Sequence, residues 1–341
     1  MAFSRERLGR FMDVMRIISA LLIFYYHAGI FVALPLSRYG DFAVNTFITL
    51  AIVASIAFAR GGEAEPSFGS YVWRRVKRIF PLYLLINVAI FGASFVYPSR
   101  LGQPFTSRQT ILSALGLSIV FGERFLSEVF WFIPFIFQVY MLIGWRGKRL
   151  LRLPWPVCFI AAFLISAIEI AALAHFLGEG SYETRKWSPL LRLPELFFGL
   201  MTAALISDLI STRAYFVNVA TYAVLAIAVA CGAIALPIAA YLWMLPLHGL
   251  MITILVAIFA ALMLLVLDFL TVETSLLRLA GAATFPFFLI HGVGMRFIAS
   301  RWDSRPLAWA SYLLACIIMA VVLTLIFGGW PRKAVSNSAS K

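Results

Sequence analysis

Runs of about twenty apolar residues recur along this chain, and no other feature restricts its fold so strongly. A hydrocarbon core about 30 Å thick takes roughly 20 apolar residues to cross as a helix, and lipid forces each spanning segment to satisfy its own backbone polar groups. The runs fall near residues 12–34, 41–59, 79–97, 129–146, 154–177, 190–208, 214–235, 236–268, 278–299 and 307–327. They predict an all-α fold, a polytopic transmembrane helical bundle of about ten spans. The run 236–268 is long for one upright helix and holds Pro237 and Pro246, so a tilt or kink is expected there. The run 110–121, "TILSALGLSIVF", is too short to cross and reads as a re-entrant or surface helix. With 62% hydrophobic and 13% charged residues, the chain has too little polar surface to face water all round. Residues 1–330 read as a single membrane domain, and 331–341, ending in "SNSASK", as a short cytoplasmic tail expected to be disordered.

The net charge of +13 is first a topology signal. With both termini in the cytoplasm (N-in/C-in), most of the 28 Lys and Arg residues fall on the inner side, including the clusters Arg5–Arg10, Arg74–Arg78 and Arg146–Arg152. An eleventh span at 110–121 would move the Arg146–Arg152 cluster outside, against the positive-inside tendency. Topology accounts for the positive excess, so no nucleic-acid partner is implied. The first span contains Arg16 and shows no small-residue cleavage site, so it is expected to stay as a span rather than be removed as a signal peptide. Cys158, Cys231 and Cys316 lie far apart inside apolar runs and read as core residues; neither a metal site nor a disulfide is expected of them.

The first span, "DVMRIISALLIFYYH" from Asp13 to His27, keeps three ionisable groups. Eleven steps of about 100° bring His27 within roughly 20° of Arg16 after three turns. Asp13 and Arg16, three residues apart, are helical neighbours. The three make one polar stripe, and the cost of charge in lipid turns it toward the bundle interior or a watery cavity. Spacing alone leaves open whether the stripe is an interfacial anchor with a core histidine or a site. Depth adds further candidates: His27, Glu169 in the fifth span, Glu195 in the sixth and His291 in the ninth all fall at or beyond mid-membrane on the outer side. Arg75 and Arg78 share one helical face at the inner mouth of the third span. His175 and His248 read as interfacial or core histidines.

The segment "DVMRIISALLIFYYHAG" resembles the opening helix of the acyltransferase-3 family of integral membrane sugar O-acyltransferases, in which an arginine, ten residues and a histidine follow one another. "YVWRRVKRIFPLYLL" is similar to that family's RxxR followed by Ile-x-Pro, here Arg75, Arg78, Ile79 and Pro81. "FWFIPFIFQVYML", "LRLPELFFGLM" with Arg192 and Glu195, and "TFPFFLIHGVG" with His291 extend the resemblance from residue 13 to about 294. In the second span "TFITLAIVAS" stands without the family's Ser-Gly pair.

The resemblance implies an O-acyltransferase in the inner (cytoplasmic) membrane. It would move an acyl group, acetyl first, from cytoplasmic acyl-CoA to a hydroxyl of a cell-surface or lipid-linked saccharide, as in exopolysaccharide biosynthesis. No bound cofactor is implied, acetyl-CoA or another acyl-CoA being a co-substrate, and membrane lipids are the other expected partner. His27 is expected as base or acyl-accepting nucleophile, with Arg16 and Glu195 in the catalytic set and Arg75 and Arg78 on the CoA phosphates. Glu195 is the first choice for a carboxylate orienting His27 and Glu169 the second; Asp13, Arg192 and His291 complete the candidates. One polar shaft is expected to join the arginines to His27. The competing reading is a secondary transporter or flippase for a saccharide-type substrate, although no pairing of broken helices between halves is visible.

Overall fold

The computed structural model describes residues 5–32, 67–97, 104–118, 125–150, 275–295 and 305–327, with shorter pieces within 43–52, 121–123, 153–168, 196–200 and 298–299. Among the described residues all regular structure is helical: α1 (Arg5–Phe31), α2 (Phe68–Val96), α3 (Ser107–Ala114), a 3-10 turn (Glu128–Trp131), α4 (Phe132–Leu150), α5 (Ser275–His291) and α6 (Pro306–Phe327), with shorter helical pieces within 43–52, 156–168, 196–200 and 295–299. Gly9–Gly29, Phe68–Val96 and Pro306–Phe327 are long and apolar enough to cross a membrane, whereas Val129–Trp145 and Ser275–His291 are shorter apolar helices.

Helix α2 starts eleven residues before the expected 79. The Ser67 hydroxyl caps it by accepting from Ser70 N–H, and nothing in 70–80 breaks a helix. Its 29 residues span about 44 Å, more than the hydrocarbon thickness, so the extra turns carry the basic residues 74–78 in helical register. Pro81 sits inside this helix and withholds the N–H that would bond the carbonyl of Lys77.

Helix α3 has eight residues, about 12 Å, and cannot cross. A capping box between Thr106 and Gln109 starts it. Its end is a Schellman motif: Gly116, at φ 71°, donates to Ser113 O (2.9 Å) and Leu117 donates to Leu112 O (2.8 Å). The helix is pinned to α2 by a buried polar network in which Tyr83 Oη donates to Ser113 O (2.5 Å) and Ser113 Oγ donates to Asn87 Oδ1 (2.8 Å). The Asn87 amide closes the network on Tyr83 O (2.9 Å).

Helix α5 packs against both α1 and α6, and touches α2. Within the expected run to 299 it breaks at His291, and helix resumes at Met295. Gly292 and Gly294 form the turn, and the Tyr312 hydroxyl from α6 takes over two backbone groups, donating to His291 O (2.6 Å) and accepting from Gly294 N–H (2.9 Å). One apolar core joins α1, residues 43–52, α2, α4 and α5; a second, including Ala20, Phe24, Phe287, Trp309 and Cys316, joins α1, α5 and α6.

Candidate active site

Helical spacing decides which basic residues of α2 meet the interior. Arg75 and Arg78 line a cavity of about 100 Å³ together with Arg16 of α1. Arg74 and Lys77 do not line it, the Lys77 ammonium lying 5.7 Å from the Trp73 ring centre; Arg75 is half-buried, and Arg78 lines the cavity while the residue as a whole stays exposed. The Arg75 guanidinium sits 4.8 Å from the ring centre of Tyr140 on α4 and 5.2 Å from that of Tyr71, which holds the cation in place by its quadrupole attraction.

Arg16 Nη1 donates to Asp13 Oδ1 at 3.0 Å, and the same carboxylate lies within electrostatic reach of Arg278 and Arg78. Gly281 on α5 makes room for it, since a Cβ there would fall 2.5 Å from the Asp13 carboxylate. Three guanidinium groups thus share one cavity beside one acid. Like charges gathered at that density favour an anion between them.

The second feature lies at the other end of α1. His27 Nδ1 is 2.9 Å from Ile23 O and 3.1 Å from His291 Nε2, while His291 Nδ1 is 3.2 Å from Phe287 O. A carbonyl oxygen only accepts, so both neutral rings carry their proton on Nδ1. In that tautomer His27 Nδ1–H donates to Ile23 O, His291 Nε2 is its second neighbour, and the ring's lone pair is on Nε2. His291 is fully buried, its ring stacked on Phe287 at 5.7 Å and 11°. Tyr26 packs its edge on His27 at 5.1 Å. The described partner of His27 is therefore an imidazole, 264 residues away in the chain. Glu195, the expected orienting carboxylate, lies outside the described residues, as do Glu169, Arg192, His175 and His248.

Among the described residues the arginine cavity and the histidine pair are separate features, and the expected shaft joining them involves spans outside the described residues. Neither histidine lines the arginine cavity. Its wall includes Phe47, Phe132 and Phe288, and the Phe288 ring, 5.7 Å from that of His291, touches the histidine pair as well.

Several site neighbours carry no signal in the linear sequence. Tyr140 and Tyr312 come from distant helices; only Tyr71, four residues before Arg75, could have been found by helical spacing. Ser127, just before the 3-10 turn, is buried, and its hydroxyl has no hydrogen-bond partner among the described residues. It abuts the residue after His291, since a Cβ on Gly292 would lie 3.1 Å from Ser127 Oγ.

A family model described as an acyltransferase domain matches residues 10–329, nearly the whole chain. Neither a curated protein nor a solved structure gives a match.

Proposed function

The chain belongs to the acyltransferase-3 family, and from that premise we propose that it moves a short acyl group, acetyl first, from cytoplasmic acyl-CoA to a hydroxyl of a cell-surface or lipid-linked saccharide. The observation that carries this reading is the pairing of a three-arginine cavity with an oriented imidazole pair farther along α1. Arg75, Arg78 and Arg16 hold the phosphates of CoA, for which planar guanidinium forks are suited. His27 Nε2 accepts the proton of the acceptor hydroxyl as its oxygen attacks the thioester carbonyl. A C–O bond forms, the C–S bond breaks, and the proton passes on to the CoA thiolate. In the two-step form the same lone pair first takes the acyl group, and the acceptor hydroxyl then displaces it. In either form, His291 fixes the tautomer that leaves Nε2 as the reacting atom.

The test is transfer of radiolabelled acetyl from acetyl-CoA to glycan in membranes carrying each variant. His27→Ala is expected to lower transfer at least 100-fold at normal protein abundance, the scale of a lost general base. Retention of activity overturns the catalytic assignment. Arg75→Ala and Arg78→Ala are expected to raise the KM for acetyl-CoA with a smaller effect on kcat. An unchanged KM in both reduces these arginines to topology markers.

A further inference from the structure

The turn after α5 is held from outside its own helix. Gly292, Val293 and Gly294 follow His291, and such a break leaves the last carbonyls of a helix without helical partners. His291 is fully buried, so water cannot stand in as a partner for its carbonyl. The Tyr312 hydroxyl of α6 bridges the turn, donating to His291 O (2.6 Å) and accepting from Gly294 N–H (2.9 Å). Its approach needs a glycine, since a Cβ at Gly294 would fall 2.7 Å from Tyr312 Cε2 and 2.8 Å from its Oη. The ring of Phe24, three residues before His27 on α1, lies 6.1 Å from that of Tyr312 and 6.4 Å from that of His291. Tyr312 also packs against the core that joins α1, α5 and α6. Three helices therefore meet around the histidine pair, and one hydroxyl ties the third to the backbone of the second.

We propose that Tyr312 is a positioning residue for acyl transfer: its hydroxyl fixes the end of α5 so that His291 Nε2 stays 3.1 Å from His27 Nδ1. The inference rests on the acyltransferase reading above and adds to it a residue that acts through His291. His291 is the last residue of α5, the place where an uncapped helix frays. Its Nδ1 keeps Phe287 O at 3.2 Å only while the backbone of that last turn stays helical. Tyr312 clamps this backbone at the carbonyl of His291 itself. With phenylalanine at 312 the carbonyl loses its donor and the Gly294 N–H its acceptor. A turn containing two glycines then has little to resist displacement. The His291 ring shifts against His27, and a misplacement of about 1 Å can cost about 100-fold in rate. The arginine cavity is lined by neither Tyr312 nor His291, so donor binding is left as it was.

The experiment measures kcat and KM for acetyl-CoA in the full-length protein and in Tyr312→Phe, Gly294→Ala and Tyr83→Phe. The last is a matched control, because it deletes a tyrosine-to-carbonyl bond that involves neither histidine. Tyr312→Phe is expected to lower kcat about 10- to 100-fold with KM within about twofold of wild type, the split that separates a displaced reacting group from lost donor binding. Gly294→Ala puts a methyl against the Tyr312 ring while keeping the hydroxyl in the chain. It is expected to lower kcat in the same way, and it carries the test should the phenylalanine variant fail to fold. Tyr83→Phe is expected to keep kcat within about twofold below its thermal midpoint, although that midpoint falls. A kcat unchanged in folded Tyr312→Phe, a loss confined to KM, or a kcat loss no larger than that of Tyr83→Phe overturns the positioning role and leaves the function standing. A wild type that transfers no acetyl overturns the function, and the positioning role falls with it.

Discussion

Gly281 shows how closely single atoms are fitted at the inner mouth. Its missing side chain is the recess that receives the Asp13 carboxylate, and that carboxylate holds Arg16 at 3.0 Å on the cavity wall. Gly281→Ala is expected to displace Asp13 and lower stability by about 1–3 kcal/mol, the usual cost of an overpacked contact. The check is the thermal midpoint of the purified protein in detergent, and an unchanged midpoint would falsify the close fit. Half of this arrangement was legible in the sequence. Asp13 and Arg16 are three residues apart, and helical geometry alone makes them a pair. Gly281 belongs to a helix far along the chain, and no local pattern ties it to Asp13. The same division holds at the deeper end of α1. The phase of His27 relative to Arg16 follows from counting turns, whereas its contact with His291 is a product of the packing of α5 on α1.

At the level of elements, the chain's short pieces are better defined than its length suggests. Helix α3 could not stand alone at eight residues; it is held by its two caps and by the Tyr83–Ser113–Asn87 network on α2. Tyr83→Phe removes the donor and leaves Ser113 O without this bond, at an expected cost of about 1–3 kcal/mol. Thermal unfolding in detergent measures the loss, and a loss below about 0.5 kcal/mol would show that the network is not what fixes α3. Apolar run length identified α2, α4, α5 and α6, because burial and lipid both select for it. It misplaced two ends for identifiable reasons. At α2, a serine cap let the helix begin amid charged residues that a hydropathy reading excludes from a span. At α5, a tyrosine hydroxyl from α6 ended a helix whose apolar run continues, and tertiary contacts of that kind leave no periodicity to read.

For the molecule as a whole, the rings of Phe47, Phe132 and Phe288, which line the arginine cavity and meet one another at 5.2–6.3 Å between centres, have a consequence apart from chemistry. Water joining the arginine cavity to the histidine pair would make a polar path along the length of α1. A membrane potential of 100 mV gives each elementary charge about 2.3 kcal/mol with which to use such a path. Three rings without polar atoms disfavour water and ions at that cavity wall. Vesicles reconstituted with Phe132→Ala are therefore expected to dissipate an imposed pH gradient several-fold faster than wild-type vesicles at equal protein content, read with an entrapped pH-sensitive dye. Equal rates would locate the insulation elsewhere. An acyltransferase set in a membrane has to admit its substrates without admitting current, and at these three side chains that second demand can be put to the test.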